Sequence, residues 1–119
     1  MSESIMLNKS KDFAVEIVNT CKGIKHTHRE SVLTNQLLRC GTSIGANIYE
    51  SKYAQSKADF ISKMQIALKE CYESEYWLEL LERTDFISNE QYKELQSDCG
   101  SIRRMLISSI NTTKSNIDK

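Results

Sequence analysis

Not one proline occurs in the 119 residues of this chain, and glycine appears only at positions 23, 41, 45 and 100. Proline removes a backbone donor and clashes with the turn before it, so a chain without it carries no built-in helix breaker. Few glycines also mean few tight turns. Long helices with short connections are the natural outcome, and the length suits one hydrophobic core rather than two. With 39% hydrophobic and 27% charged residues, the composition is that of a globular domain rather than a disordered segment.

Apolar residues recurring at three- and four-residue steps predict four helices. The first spans about 9–22, with Asn8 or Ser10 as N-cap, Gly23 just past its end, and Phe13, Ala14, Ile17, Val18, Cys21 and Ile24 on one face. The polar residues 25–30 read as the connection that follows. The second helix covers about 32–53 with Leu33, Leu37, Cys40, Gly41, Ile44 and Ile48 as its stripe. Its Gly41 and Gly45 cost about 1 kcal/mol each relative to alanine, which close approach of a neighbouring backbone would offset.

The third helix, about 57–83, opens on Ser56 and Asp59 as a cap and box. Its stripe of Phe60, Met64, Ala67, Cys71, Leu78 and Leu81 is widened by Ile61, Leu68 and Tyr72, a breadth that faces more than one neighbour. Ser88 with Gln91 repeats the capping signal before the fourth helix, about 89–113, where Tyr92, Leu95, Cys99, Ile102, Leu106 and Ile110 keep the period. The tail beyond Lys114 reads as polar and frayed. Together these predict an all-α fold of one domain, an antiparallel up-down four-helix bundle with neighbours crossing at about 20°.

Charge narrows the function classes. Lys plus Arg and Asp plus Glu are both 16, so the chain lacks the basic excess on which phosphate binding usually depends. No helix is a basic stripe. Arg103 and Arg104 with Lys114, or Lys22, Lys25 and Arg29, remain as local clusters, more simply read as solvated surface. No run reaches the roughly 18 apolar residues that span a bilayer, and residues 1–6 carry no secretory pattern. A cytoplasmic location without membrane contact is the expectation.

The bundle enzymes need ligands that this chain does not supply. Di-iron bundles use Glu-x-x-His pairs, because those side chains share a helix face. Here His26 and His28 both fall in the predicted first connection, and two ligands cannot close a site alone. Cys21, Cys40, Cys71 and Cys99 include no CxxC and sit one per helix, which fits small buried hydrophobes better than a four-thiolate site. Glu50, Glu70 and Glu73 could act as an acid/base group, but pairing with Arg39 or Lys63 across the helix interface is the more economical reading. Asn47 reads as a register-fixing hydrogen bonder. The expectation is a non-enzymatic protein with no metal, cofactor or small-molecule substrate.

Two blocks carry a resemblance. Gln36, Arg39, Ser43, Ile44, Asn47, Ile48 and Glu50 on the second helix are followed by Phe60, Lys63, Ala67, Glu70, Glu73 and Trp77 on the third. In this order they resemble the bacterial four-helix bundle family of 23S rRNA intervening-sequence proteins, over about residues 8–113. Leu38 stands where that family often has a second basic residue, which weakens an inherited nucleic-acid role, and Ser51 stands where it has glycine. The resemblance implies a left-handed antiparallel bundle and a ring-shaped homopentamer. It also implies kinship with accessory proteins of diversity-generating retroelements, which are basic and work with RNA. Tyr76 and Trp77 become the expected subunit anchors, since aromatics dominate such contacts. The function expected is therefore a homo-oligomeric interaction or structural protein. The alternative is an RNA- or nucleoprotein-binding module whose basic patch is multiplied by assembly.

Overall fold

The computed structural model describes residues 2–117. They form α1 (Ser2–His28), α2 (Val32–Ser51), α3 (Lys57–Arg83) and α4 (Asn89–Ile117), with no strand among the described residues. Each helix packs on two others, α1 on α2, α2 on α3, α3 on α4 and α4 back on α1, which fits a bundle. Its longest dimension, 52 Å, accommodates helices of 27–29 residues at about 1.5 Å per residue.

Burial follows the helical period closely. In α2 the buried positions Thr34, Leu37, Gly41, Ile44, Ile48 and Ser51 alternate steps of three and four. Met64, Ala67, Cys71, Ser74, Leu78 and Leu81 of α3 do the same. This is the spacing with which one helix inserts knobs into the holes of another. Met6, Phe13, Ile17, Cys21 and Ile24 from α1 and Leu95, Cys99, Ile102, Leu106 and Ile110 from α4 complete the core.

The ends of the helices depart from expectation more than their centres. α1 begins at Ser2 and runs to His28, so Asn8 and Ser10 lie inside it, and Gly23 is an exposed interior residue rather than a terminator. Residues 25–28 continue the helix because Arg29 accepts the left-handed turn, at φ 55°, that a glycine usually takes. Both histidines are therefore on the last turn of α1, not in a loop. α2 stops at Ser51, two residues short of the predicted end, while α4 continues to Ile117 through the tail expected to fray. The last two residues of that tail lie outside the described residues.

The caps explain the remaining boundaries. Ser56 Oγ accepts from Asp59 N at 3.0 Å, and Ser88 Oγ from Gln91 N at 3.1 Å, while Gln91 Oε1 accepts from Ser88 N at 3.2 Å. α2 is capped differently. Ser31 makes no side-chain cap bond, and Glu30 instead accepts from Leu33 N at 2.9 Å and Thr34 N at 3.0 Å. Burial alone would raise the Glu30 carboxyl, but these backbone donors outweigh it and hold the group below its usual range. At the end of α3, Phe86 N bonds to Leu81 O and Asp85 N to Glu82 O, with Asp85 at φ 67°; this is a Schellman motif built without glycine.

The α2 glycines do mark a close approach. A Cβ on Gly41 would lie 3.0 Å from Ile17 Cγ2, and one on Gly45 would lie 3.1 Å from Ser10 Oγ and 3.5 Å from the Ser10 carbonyl oxygen. Ser10, buried there, satisfies its hydroxyl on Leu7 O at 2.7 Å. By contrast nothing lies within 4 Å of a Cβ on Gly23. Gly23→Ala is thus expected to raise stability by about 0.5–1 kcal/mol. Gly41→Ala is expected to lower it, because overpacking of about 1–3 kcal/mol exceeds the same helix gain. Urea unfolding of the two variants checks the opposite signs.

Candidate functional site

The two sequence blocks meet along the seam between α2 and α3. Arg39 leaves α2 and reaches two carboxylates of α3, with Nη1 3.4 Å from Glu70 Oε2 and Nη2 paired with Glu73 Oε2. Trp77 Nε1 donates to the same Glu73 oxygen at 3.1 Å. Farther along, Lys63 Nζ lies 3.1 Å from Glu50 Oε1. Residues 39 and 50 are separated by about 16 Å of helix, so Glu50 does not converge with Glu70 and Glu73. Beneath the seam, Ser74 Oγ lies 2.8 Å from Glu70 O and 3.3 Å from Cys40 Sγ.

Electrostatics tie the seam down. Partial burial would raise the Glu73 carboxyl, but hydrogen bonds from Trp77 and Arg39 and the nearby charges of Arg39 and Lys69 bring it below the usual range. The bond to Glu73 correspondingly raises Arg39. All three glutamates have a cation partner, so the seam holds paired charge rather than a free base. Asn47 does not reach across it. Its amide donates to Ser43 O at 2.9 Å, and Ser43 Oγ to Arg39 O at 2.6 Å, so both bonds stay inside α2. Gln36 is exposed. Ser51, in the place of the expected glycine, is buried and bonds back to Ile48 O at 2.6 Å.

The outer side of α3 adjoins the seam. Ile66, Tyr72 and Tyr76 are 42%, 52% and 60% exposed, and Tyr76 meets the half-buried Trp77 edge-on with ring centroids 5.0 Å apart. On α4, Arg103 Nε lies 2.8 Å from Glu75 Oε2, and its guanidinium sits 5.7 Å from the Tyr72 ring. Arg104 is exposed and lines a groove of about 500 Å³ between α1 and α4, together with Met6, Ser108 and Thr112. Lys114 lies about 15 Å farther along the helix, so it does not cluster with the two arginines. Sequence reasoning missed the Arg103–Glu75 and Glu30 contacts. The first depends on helix register; the second was signalled by a carboxylate just before the first apolar residues of α2.

The cysteines are four free thiols, all buried. Cys21 Sγ lies 3.5 Å from Thr34 O and Cys99 Sγ 3.5 Å from Cys71 O. Burial pushes the Cys21 and Cys40 thiols up to about 11, and contact with Cys71 followed by burial raises Cys99 as well. Thiols held protonated in this way are poor nucleophiles and ligands at neutral pH. Among the described residues no group of three or more His, Cys, Asp or Glu side chains is placed to hold a metal ion. His28 instead packs edge-on against Phe86 at 5.2 Å.

The seam residues are those of the two blocks, and the profile of the family described as 23S rRNA-intervening sequence protein matches residues 2–108. The chain belongs to that family. Among solved structures, this 23S rRNA-intervening sequence family member is similar to a protein of unknown function from the S23 ribosomal protein family of Bacteroides thetaiotaomicron VPI-5482. The two are 51% identical with a TM-score of 0.92, over 93% of this chain and 99% of that one. No curated protein matches the chain.

The seam yields a stability prediction. Arg39 is 54% exposed, so solvent screening discounts its pairs, but Glu70 is only 11% exposed and is left uncompensated if Arg39 is removed. Arg39→Ala is expected to destabilise by about 1–2 kcal/mol, and Lys63→Ala, whose partner Glu50 is exposed, by less than about 0.5 kcal/mol. A lowered carboxyl value means that the Glu73 contribution is present above the unfolded value of 4.5 and lost as pH falls through the folded one. The stability gap between the wild type and Glu73→Gln should therefore be widest near neutral pH and close in acid, as denaturant melts across pH 3–7 would measure.

Proposed function

We propose that this chain is a non-enzymatic, homo-oligomeric interaction protein of the cytoplasm whose bundles associate through the outer face of α3. The observation that carries this reading is the exposed Ile66, Tyr72 and Tyr76 beside Trp77, a larger apolar aromatic surface than one bundle uses. Among the described residues no helix is long and apolar enough to cross a membrane. Family membership supports a ring of five copies as the specific assembly, with neither cofactor nor small-molecule substrate.

Within each copy the proposed arrangement is an antiparallel, up-down, left-handed bundle. Residue pairs favour opposite helix directions: Gly45 with Ser10 and Thr34 with Cys21 between α1 and α2, then Glu50 with Lys63 and Arg39 with Glu73 between α2 and α3. The three-four spacing in α2 and α3 favours a left-handed supercoil, because 3.5 residues per turn is below the 3.6 of a straight helix.

A second reading, binding of RNA or a nucleoprotein, is favoured by the adjacent Arg103 and Arg104 on α4, which assembly would repeat around a ring. Light scattering on the full chain at micromolar concentration is expected to return a multiple of 13.7 kDa, five for the ring. Tyr76→Glu, exposed in a single bundle, is expected to dissociate it with its helical content intact. A wild type that stays monomeric removes the assembly reading. RNA affinity that is absent even at low salt removes the second one.

A further inference from the structure

Gly100 lies in the middle of α4 and is buried, with the tips of two arginine side chains as the nearest neighbours of a Cβ placed there. A Cβ there would lie 3.3 Å from Arg104 Nη1 and 3.4 Å from Arg103 Nη2. Neighbouring residues on a helix point about 100° apart, yet these two guanidinium groups come within about 7 Å of each other over one bare stretch of backbone. Like charges brought that close repel, and an anion between them would reverse the sign of the interaction.

The donors are available for such an anion. Arg103 commits its Nε to Glu75 at 2.8 Å, which leaves the Nη2 over Gly100 uncommitted. A guanidinium carries five N–H donors in a fixed fork, so one carboxylate does not exhaust it. Arg104 makes no ion pair with any residue from 5 to 116. The Glu75 contact and the Tyr72 ring at 5.7 Å fix Arg103 in place, so one half of the fork is preorganised. We propose that Arg103 and Arg104, folded over Gly100, form a binding site for a phosphate oxyanion, either free phosphate or the phosphate of a nucleic-acid chain. The site is complete within one subunit and independent of the assembly reading; its nucleic-acid arm rests on the second reading above, and its free-phosphate arm does not.

Amide chemical-shift titration of the deuterated full chain at low salt tests it, with inorganic phosphate and a single-stranded decaribonucleotide as separate probes. Saturable shifts centred on Gly100, Arg103 and Arg104 are expected, at least tenfold weaker in Arg104→Gln and unchanged in Lys114→Gln. Glu75→Gln, whose amide oxygen still accepts from Arg103 Nε while the competing negative charge is gone, is expected to tighten phosphate binding several-fold, an effect that a purely structural ion pair would not produce. Tighter RNA than phosphate binding through the same amides identifies a nucleic-acid phosphate, and phosphate binding alone identifies a free or terminal one; both support the site. Absence of saturable shifts with either probe, shifts centred elsewhere, or unchanged affinity in Arg104→Gln overturns it.

Discussion

The fit of α2 to α3 is the constraint on which the rest of this structure depends. Both helices bury positions at alternating steps of three and four over about five turns, so each presents a continuous stripe to the shared core. A slip along the seam between them would part Ser74 from Cys40 in the core and Arg39 from Glu70 and Glu73 at its edge. The polar contacts thus penalise the wrong register, while apolar burial supplies most of the attraction. α1 then seats on α2 through the two small positions Gly41 and Gly45, and its place is set by Ile17 and Ser10.

Once the helices are seated, little reactive chemistry is left inside. The seam carboxylates are matched by Arg39 and Lys63, and the thiols of Cys21, Cys40 and Cys99 are pushed toward their neutral form. What faces outward is of a different kind: a tyrosine-rich strip on α3 and two arginines lying over a glycine on α4. A zero net charge conceals this, because charge is balanced over the chain but not over each patch. The exposed aromatic strip and the paired arginines, rather than an interior pocket, are where this family member departs from a plain bundle.

The boundaries of the helices were the least legible part. Ser56 and Ser88 were readable because a short hydroxyl side chain reaches a backbone donor within its own turn. The end of α1 was not, because Arg29 adopts a left-handed conformation that residue type alone assigns to glycine. Gly23 misled for the same reason in reverse, lying within a helix that had enough further contacts to continue. The pairing of Arg39 with Glu70 and Glu73 was legible as one choice among several, since complementary charges stood on facing stripes.

The sequence by itself determined that four helices form, which faces they bury, and which two blocks carry the family pattern. Those properties arise from a proline-free backbone and from periodicity, both of which act over a few turns. Only the tertiary structure decided that Glu50 stands apart from Glu70 and Glu73, that Asn47 bonds within its own helix, and that Arg103 and Arg104 converge over Gly100. These depend on register between helices and on how side chains fold back along them, and no local pattern specifies either.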